Sequence, residues 1–122
     1  MACLFVAIGK QLGIDHASVR RDVCDYLTRN GSVLEGVQTK DLVDKDYIKA
    51  MAQTSTWGSA IEIQAACSIY HVRIAVLSTR PRDRKTPIVF TPVGGRLYHR
   101  TLFLTWNGSH FEPASPMLLP TT

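Results

Sequence analysis

Apolar residues recur at helical spacing through the first half of the chain. Residues 3–12 form a short, almost wholly apolar run followed by Gly13, a pattern that predicts a buried helix with a glycine stop. A second helix is predicted from about 15 to 30 and is closed by Gly31, with Arg20 on its solvent face. Two helices packed through apolar faces are therefore expected at the start of the fold.

The middle of the chain predicts two more helices. The first runs from near Asp44 to Met51, and the second covers residues 61–70. Ser59 and Glu62 stand at capping-box spacing just before the second one, where hydroxyl and carboxylate can satisfy the first free backbone N–H groups. This last helix is apolar on more than one face, which is typical of a helix packed against a sheet.

The last third of the chain changes to short runs of β-branched and aromatic residues. They predict strands at residues 72–77, 88–91 and 101–106, then a short strand from Phe111. Gly94-Gly95 suits a tight turn between the second and third strands. Prolines after residue 112 predict an irregular tail over 113–122. The pattern predicts one α+β domain over 1–122, with N-terminal helices packed on a small, mostly antiparallel sheet.

The composition limits which cellular compartment and which bound groups are expected for this chain. No apolar run approaches the roughly 20 residues that a membrane span needs, and residues 1–8 lack the basic start of a signal peptide. The 3 cysteines, an odd number, then predict reduced thiols in a cytoplasmic, reducing compartment. No metal or cofactor is expected, because Cys and His lack close-spaced pairs and Gly94-Gly95 lacks a phosphate-loop signature.

Much of the net charge of +4 lies in residues 80–85. One interpretation is a patch for nucleic acid. The other is a solvated hairpin loop whose charges keep a sheet edge soluble. The second is preferred, because no aromatic residues interleave with the charges as a base-stacking platform requires. A small RNA-binding domain stays open as an alternative hypothesis.

Cys3 and His110 carry the candidate chemistry. Cys3 begins the first predicted helix, and a helix N-terminus favours thiolate over thiol. His110 lies on a late loop, where an imidazole can take a proton and later return it to a leaving amine. The remaining cysteines, Cys24 and Cys67, are interpreted as buried hydrophobic residues. The remaining histidines are interpreted as surface or strand-end residues: His16, His71 and His99.

Several motifs stand in a fixed order around this pair. They are Cys3-Leu4-Phe5 with Ala7-Ile8, Tyr47 and Met51 before Ser55-Thr56-Trp57-Gly58, Ile61-Glu62-Ile63-Gln64-Ala65, Val72–Val76, and Trp106–Phe111. In this order they resemble the motifs of the ovarian tumour (OTU) deubiquitinases, cysteine proteases of papain-like fold. The small size is similar to that of compact viral members. Trp57 and Trp106 are interpreted as core packing under the active-site loops.

The resemblance implies a function and roles for individual residues. Cys3 would be the nucleophile of a thiol-dependent isopeptidase that cleaves after the C-terminal glycine of ubiquitin or a ubiquitin-like protein. His110 would be its base and then the acid. Glu112 holds the place, two residues after the His, where some members carry the residue that orients the imidazole. Asn107, or a Cys–His dyad without a third member, stays open as an alternative.

One departure from the family pattern weighs against activity. The family commonly has an Asp three residues before the nucleophile, in a loop that shapes the oxyanion hole, and only Met1 and Ala2 precede Cys3. Either the chain is part of a longer protein or polyprotein, or its catalytic loop is reduced. A catalytically silent ubiquitin-binding module of the same fold is therefore the alternative to the enzyme.

Overall fold

A computed structural model describes residues 3–53 and 58–119. The helices are α1 (Cys3–Leu12), α2 (His16–Thr28), α3 (Thr39–Leu42), α4 (Lys45–Met51) and α5 (Ala60–Tyr70). The strands are β1 (Val72–Ser78), β2 (Ile88–Phe90), β3 (Arg100–Trp106) and β4 (Phe111–Pro113), and a 3₁₀ turn covers Val93–Gly95. The predicted α+β class and the predicted helices and strands are confirmed, and the short α3 is an addition.

The strands form one mixed sheet in the order β2-β1-β3-β4. The central pair, β1 and β3, is parallel, and the outer strands β2 and β4 each pair antiparallel with their neighbours. The predicted turn at Gly94-Gly95 is present between β2 and β3, but it does not join neighbouring strands, because β1 lies between them in the sheet. Both glycines have positive φ, 78° and 71°, so they bend a crossing connection instead.

The core lies between one face of this sheet and the helices. Ile74, Leu102 and Leu104 alternate toward that face and are fully buried. They meet α1, whose Phe5 and Ile8 are also fully buried. Because α1 is apolar on most sides, it is enclosed between the sheet and α2 rather than lying on the surface.

Helix α2 ends at Thr28, two residues before the predicted end near 30. Asn30, with φ 60°, takes the left-handed position at the helix end, whereas the sequence predicts Gly31 as the closing residue. The backbone N–H of Asn30 donates to Leu27 and that of Gly31 donates to Tyr26, which is the Schellman pattern. Gly31 is needed for another reason, since a Cβ there would lie 2.5 Å from the Tyr26 ring.

Arg20 is buried, with 3% of its surface exposed, so its predicted place on the solvent face is wrong. Its Nη1 donates to the carbonyl of Met51 at 2.7 Å, at the end of α4. Its guanidinium lies 4.5 Å from the centre of the Phe5 ring in α1. Burial lowers the pKa of Arg20 from its usual value. The side chain therefore joins α2 to both α1 and α4.

Glu62 is the polar centre of the helical layer and is fully buried. Its Oε1 accepts from the backbone N–H and from the hydroxyl of Ser59, each at 2.7 Å, which confirms the predicted capping box. Its Oε2 accepts from the Tyr47 hydroxyl at 2.7 Å. Burial raises the pKa of Tyr47 to about 12, so this phenol stays a donor at neutral pH.

We expect Tyr47→Phe to lower the free energy of unfolding by about 1–3 kcal/mol, because it removes a donor from a buried carboxylate. The measurement is urea denaturation followed by circular dichroism. Tyr98→Phe is the matched control, since Tyr98 is 42% exposed, and it should change stability by less than about 0.5 kcal/mol. Equal effects of the two substitutions would contradict the role assigned to the Glu62 network.

Candidate functional site

Gln11 fixes helix α1 to the β3–β4 hairpin. Its side-chain Nε2 donates to the Phe103 carbonyl at 2.6 Å, and its Oε1 accepts from the Phe103 N–H at 3.0 Å. The amide thus pairs with both backbone groups of one residue of β3, near the point where β4 ends. Two hydrogen bonds from one planar amide set both the distance and the orientation of the helix end.

This contact determines which part of the hairpin the start of α1 approaches. From Gln11, helix α1 packs along β4, which pairs with β3 beyond Phe103, so α1 extends back toward Phe111. The helix rises about 12 Å from Gln11 to its first residue, Cys3, the length of about four strand residues. Four residues beyond Phe103 is Asn107, in the loop that joins β3 to β4. The topology therefore brings the backbone of Cys3 and the loop carrying His110 to the same end of the molecule.

The loop at 107–110 is held by the side chain of Asn107. Its Oδ1 accepts from the backbone N–H of Ser109 at 2.9 Å and of His110 at 2.8 Å. The backbone N–H of Asn107 donates to the His110 carbonyl at 3.2 Å, and Gly108 has φ 102°. Asn107, which the sequence leaves open as a third catalytic member, uses its carbonyl oxygen to shape the turn.

Glu112 lies in β4, two residues after His110 and opposite Thr105 of β3. Alternation along an extended chain directs residues 110 and 112 to the same side. The Glu112 side chain is exposed, whereas His110 is half-buried. The backbone geometry is thus compatible with the predicted pairing of Glu112 with His110. The Glu112 carboxylate would lie on the solvent side of the imidazole.

Arg80 contacts the outer side of the same loop. Its guanidinium lies 4.4 Å from the centre of the Trp106 ring, and its Nε donates to Asp83 Oδ2 at 2.6 Å. The sequence predicts a solvated hairpin loop over residues 80–85. They do connect the antiparallel strands β1 and β2, but Arg80 is half-buried against Trp106. One sequence clue points to an ordered Arg80: Arg80 and Asp83 stand at i,i+3 spacing just after a strand, where they can form an ion pair.

The Ser78 hydroxyl also donates to Asp83 Oδ2, at 2.6 Å. That hydroxyl and the guanidinium of Arg80 hold the pKa of Asp83 below its usual value of 3.8. Because this pKa is lowered, Asp83 is ionised and paired with Arg80 at neutral pH. The ion pair is lost only as the pH falls through that pKa. Beside this pair, a groove of about 510 Å³ runs between Trp106 and Ile88.

Gly58 contacts the first turn of α1. A Cβ on Gly58 would lie 2.3 Å from Cδ2 and 3.1 Å from Cβ of Leu4, whose side chain is buried. A side chain at position 58 would therefore have to displace the buried side chain of Leu4. The rest of the Ser55-Thr56-Trp57-Gly58 motif, including Trp57, lies outside the described residues.

Similarity to known proteins shows the family of the chain. The family model "OTU-like cysteine protease" matches residues 2–111 of the chain. The chain belongs to this family.

The curated relatives are longer than the segment that matches this chain. OVARIAN TUMOR DOMAIN-containing deubiquitinating enzyme 10 of Arabidopsis thaliana is 31% identical over 80 residues, which cover 63% of this chain and 22% of the relative. OTU domain-containing protein 5 of Rattus norvegicus is 33% identical over 85 residues, which cover 66% and 15%. The matched part of the chain thus spans less than a quarter of the length of these relatives.

Three solved structures share the fold at lower sequence identity. The OTU domain of OTUD1 superimposes with a TM-score of 0.75 at 18% identity, over 92% of this chain and 77% of that one. An OTU domain in complex with ubiquitin gives 0.74 at 23%, over 92% and 62%. The viral OTU domain protease from Dera Ghazi Khan virus gives 0.72 at 19%, over 92% and 72%. The predicted papain-like OTU fold is therefore confirmed.

The other cysteines and histidines of this OTU domain lie away from the hairpin loop. Cys24 and Cys67 are buried, as predicted, and the three remaining histidines are exposed: His16, His71 and His99. Across residues 3–53 and 58–119, no three His, Cys, Asp or Glu side chains converge as metal ligands do, and no helix has the length and apolarity to cross a membrane.

We expect Cys24 and Cys67 to resist alkylation in the folded protein. Burial raises the pKa of both thiols, that of Cys67 to about 12, so each is protonated at neutral pH. The measurement is iodoacetamide labelling at pH 7.5, followed by peptide mass mapping, with the urea-unfolded protein as control. Rapid labelling of Cys67 before unfolding would contradict this assignment.

Proposed function

We propose that this OTU domain is a thiol-dependent deubiquitinase. It would cleave after the C-terminal glycine of ubiquitin or a ubiquitin-like protein, with Cys3 as the nucleophile and His110 as general base and acid. The observation that supports this most is the pairing of Gln11 with both backbone groups of Phe103, which brings the start of α1 to the level of the His110 loop.

The start of α1 is a favourable place for a thiolate. The ten-residue helix begins at Cys3 and has no acidic residue in its first turn. Its dipole places about half a positive charge at that end, and the first turn itself contributes no carboxylate. A thiolate stabilised in this way, with an imidazole as its proton acceptor, is the reactive form of a catalytic cysteine.

The proposed reaction has two halves. The Cys3 thiolate attacks the carbonyl carbon of the isopeptide bond, and a C–S bond forms as the π electrons move to oxygen. Backbone N–H groups at the start of α1 stabilise that oxyanion. It then collapses, the C–N bond breaks, and the protonated His110 gives its proton to the leaving amine.

In the second half, His110 takes a proton from water, and the hydroxide attacks the thioester carbonyl. The C–S bond breaks, which returns the thiolate of Cys3 and releases the modifier as a carboxylic acid, and that acid loses its proton to solvent to give the free carboxylate. Water supplies the only co-reactant, so the cycle needs no cofactor. We assign Glu112 as the residue that orients His110, and Asn107 as the residue that holds the loop backbone.

The substrate class comes from the relatives. The Arabidopsis relative is named a deubiquitinating enzyme, and one structural neighbour was solved in complex with ubiquitin. Because the chain matches only a fraction of the curated relatives, ubiquitin as partner is carried over as part of this proposal. A reducing, cytoplasmic compartment fits a catalytic thiol.

The test is covalent capture by ubiquitin with a C-terminal propargylamide. We expect the wild type to form an adduct, Cys3→Ala to form none, and His110→Ala to react about 10²–10⁴-fold more slowly because it lacks the base. His16→Ala is the control, since His16 is exposed at the start of α2. The measurement is the adduct mass and its rate of formation.

Two results would contradict the proposal. One is an adduct that persists in Cys3→Ala. The other is a folded wild type that binds ubiquitin but never forms the adduct, which would favour the catalytically silent binding module.

We expect Glu112→Gln to slow adduct formation, by less than about 10⁴-fold because the carboxylate is exposed and screened by solvent. Glu112→Asp, which keeps the charge, should retain more activity than Glu112→Gln. The measurement is the rate of ubiquitin-propargylamide labelling between pH 6 and pH 9. If Glu112→Gln matched the wild type throughout, the assignment would fail and a Cys–His dyad would be preferred.

A further inference from the structure

We propose that Arg80 is a positioning residue for His110: it braces the outer side of the 107–110 loop and so keeps the imidazole in reach of the nucleophile. This rests on the proposed function. The inference goes beyond that function because Arg80 lies in the connection between β1 and β2, whereas His110 lies between β3 and β4. Arg80 also belongs to none of the motifs that mark the family in this sequence.

Arg80 is itself held in one geometry. Its Nε donates to Asp83 Oδ2 at 2.6 Å, and its backbone N–H donates to the Ser78 hydroxyl at 3.2 Å. Its carbonyl accepts from Lys85 Nζ at 2.8 Å. These contacts hold the backbone of Arg80 at both its N–H and its carbonyl, and they tie the guanidinium to Asp83.

The supported element is the strand end and loop that carry His110. The guanidinium lies over the Trp106 ring, 4.4 Å from its centre, which is the geometry of a cation–π contact. The side-chain stem reaches the next part of the loop, because a Cβ on Gly108 would lie 3.1 Å from Arg80 Cδ. The backbone N–H of Thr79 adds a hydrogen bond to the Trp106 carbonyl at 2.9 Å.

The two sides of the loop therefore have different supports. On the inner side, Asn107 pairs with the backbone of His110. On the outer side, Arg80 limits how far Trp106 and Gly108 can move. Loss of the outer support leaves the turn formed but lets the whole loop shift, which alters the distance from His110 to the start of α1.

The contacts of Arg80 are expected to contribute little to overall stability. The Arg80 and Asp83 side chains are 38% and 22% exposed, and ion pairs this close to solvent typically contribute at most about 1 kcal/mol. A shift of about 1 Å in a catalytic group, by contrast, can cost about 10²-fold in rate. The brace is therefore separable from folding, since its removal affects reactivity far more than unfolding.

The test compares Arg80→Met, Arg80→Lys and Arg82→Met. Methionine keeps an apolar stem but has no guanidinium, and lysine keeps the charge without the planar group. Arg82 is the matched control, an exposed arginine in the same connection. The readouts are the pH profile of Cys3 alkylation by iodoacetamide, mapped by mass spectrometry, and the rate of capture by ubiquitin propargylamide.

We expect Arg80→Met to move the midpoint of the alkylation profile to higher pH and to slow capture between about 10- and 100-fold, with the melting temperature nearly unchanged. Arg80→Lys should lie between it and the wild type, and Arg82→Met should overlay the wild type. If Arg80→Met does not fold, Arg80→Lys carries the test alone.

An Arg80→Met profile that overlays the wild type, while His110→Ala still shifts it, would overturn the brace and leave the proposed function intact. A wild-type profile that is unaffected by His110→Ala would instead overturn the proposed function, and the brace with it. The alkylation readout is informative because a merely structural role would change stability without moving the pH midpoint.

Discussion

The hydrogen bonds between Gln11 and the backbone of Phe103 are the contact on which the rest of the site depends. A helix is rigid over ten residues, so fixing its last turn against β3 also sets where its first residue lies. The hairpin is equally constrained, because β3 is paired on both sides, with β1 and with β4. The distance between the start of α1 and the 107–110 loop follows from these two rigid elements.

Around this scaffold, short polar contacts refine what the packing leaves free. Asn107 shapes the turn from within, and Arg80 supports it from the neighbouring connection. Before α5, Gly58 allows the backbone to pack closely against Leu4 in the first turn of α1. Functional groups carried on loops need such support from a rigid framework, because a loop by itself samples several positions.

The features predicted correctly from the sequence are those that depend on neighbouring residues. The apolar run closed by Gly13 gave α1, and the Ser59–Glu62 spacing gave the start of α5. The motifs around Cys3 and His110 gave the family, whose members share this fold. In each case the signal lies within a few residues, where spacing alone carries the information.

The features missed depend on segments far apart in the chain. Arg20 was predicted to be exposed, yet Phe5 and Met51 provide the partners that allow its burial. The insertion of β1 between β2 and β3 is a long-range choice that turn chemistry at Gly94-Gly95 does not reveal. Arg80 was missed for the same reason, since Trp106 reaches it only after the sheet has formed.

The most direct test of the central claim is to cross-link the wild-type protein with 1,3-dibromoacetone, a short reagent with two alkylating carbons. If α1 and the hairpin are in the register described, Cys3 reacts first and the second carbon is trapped by His110. Peptide mapping should then find Cys3 and His110 covalently joined in the folded protein and not in urea. Cys3 alkylated without a cross-link, or joined to a different histidine, would contradict the account.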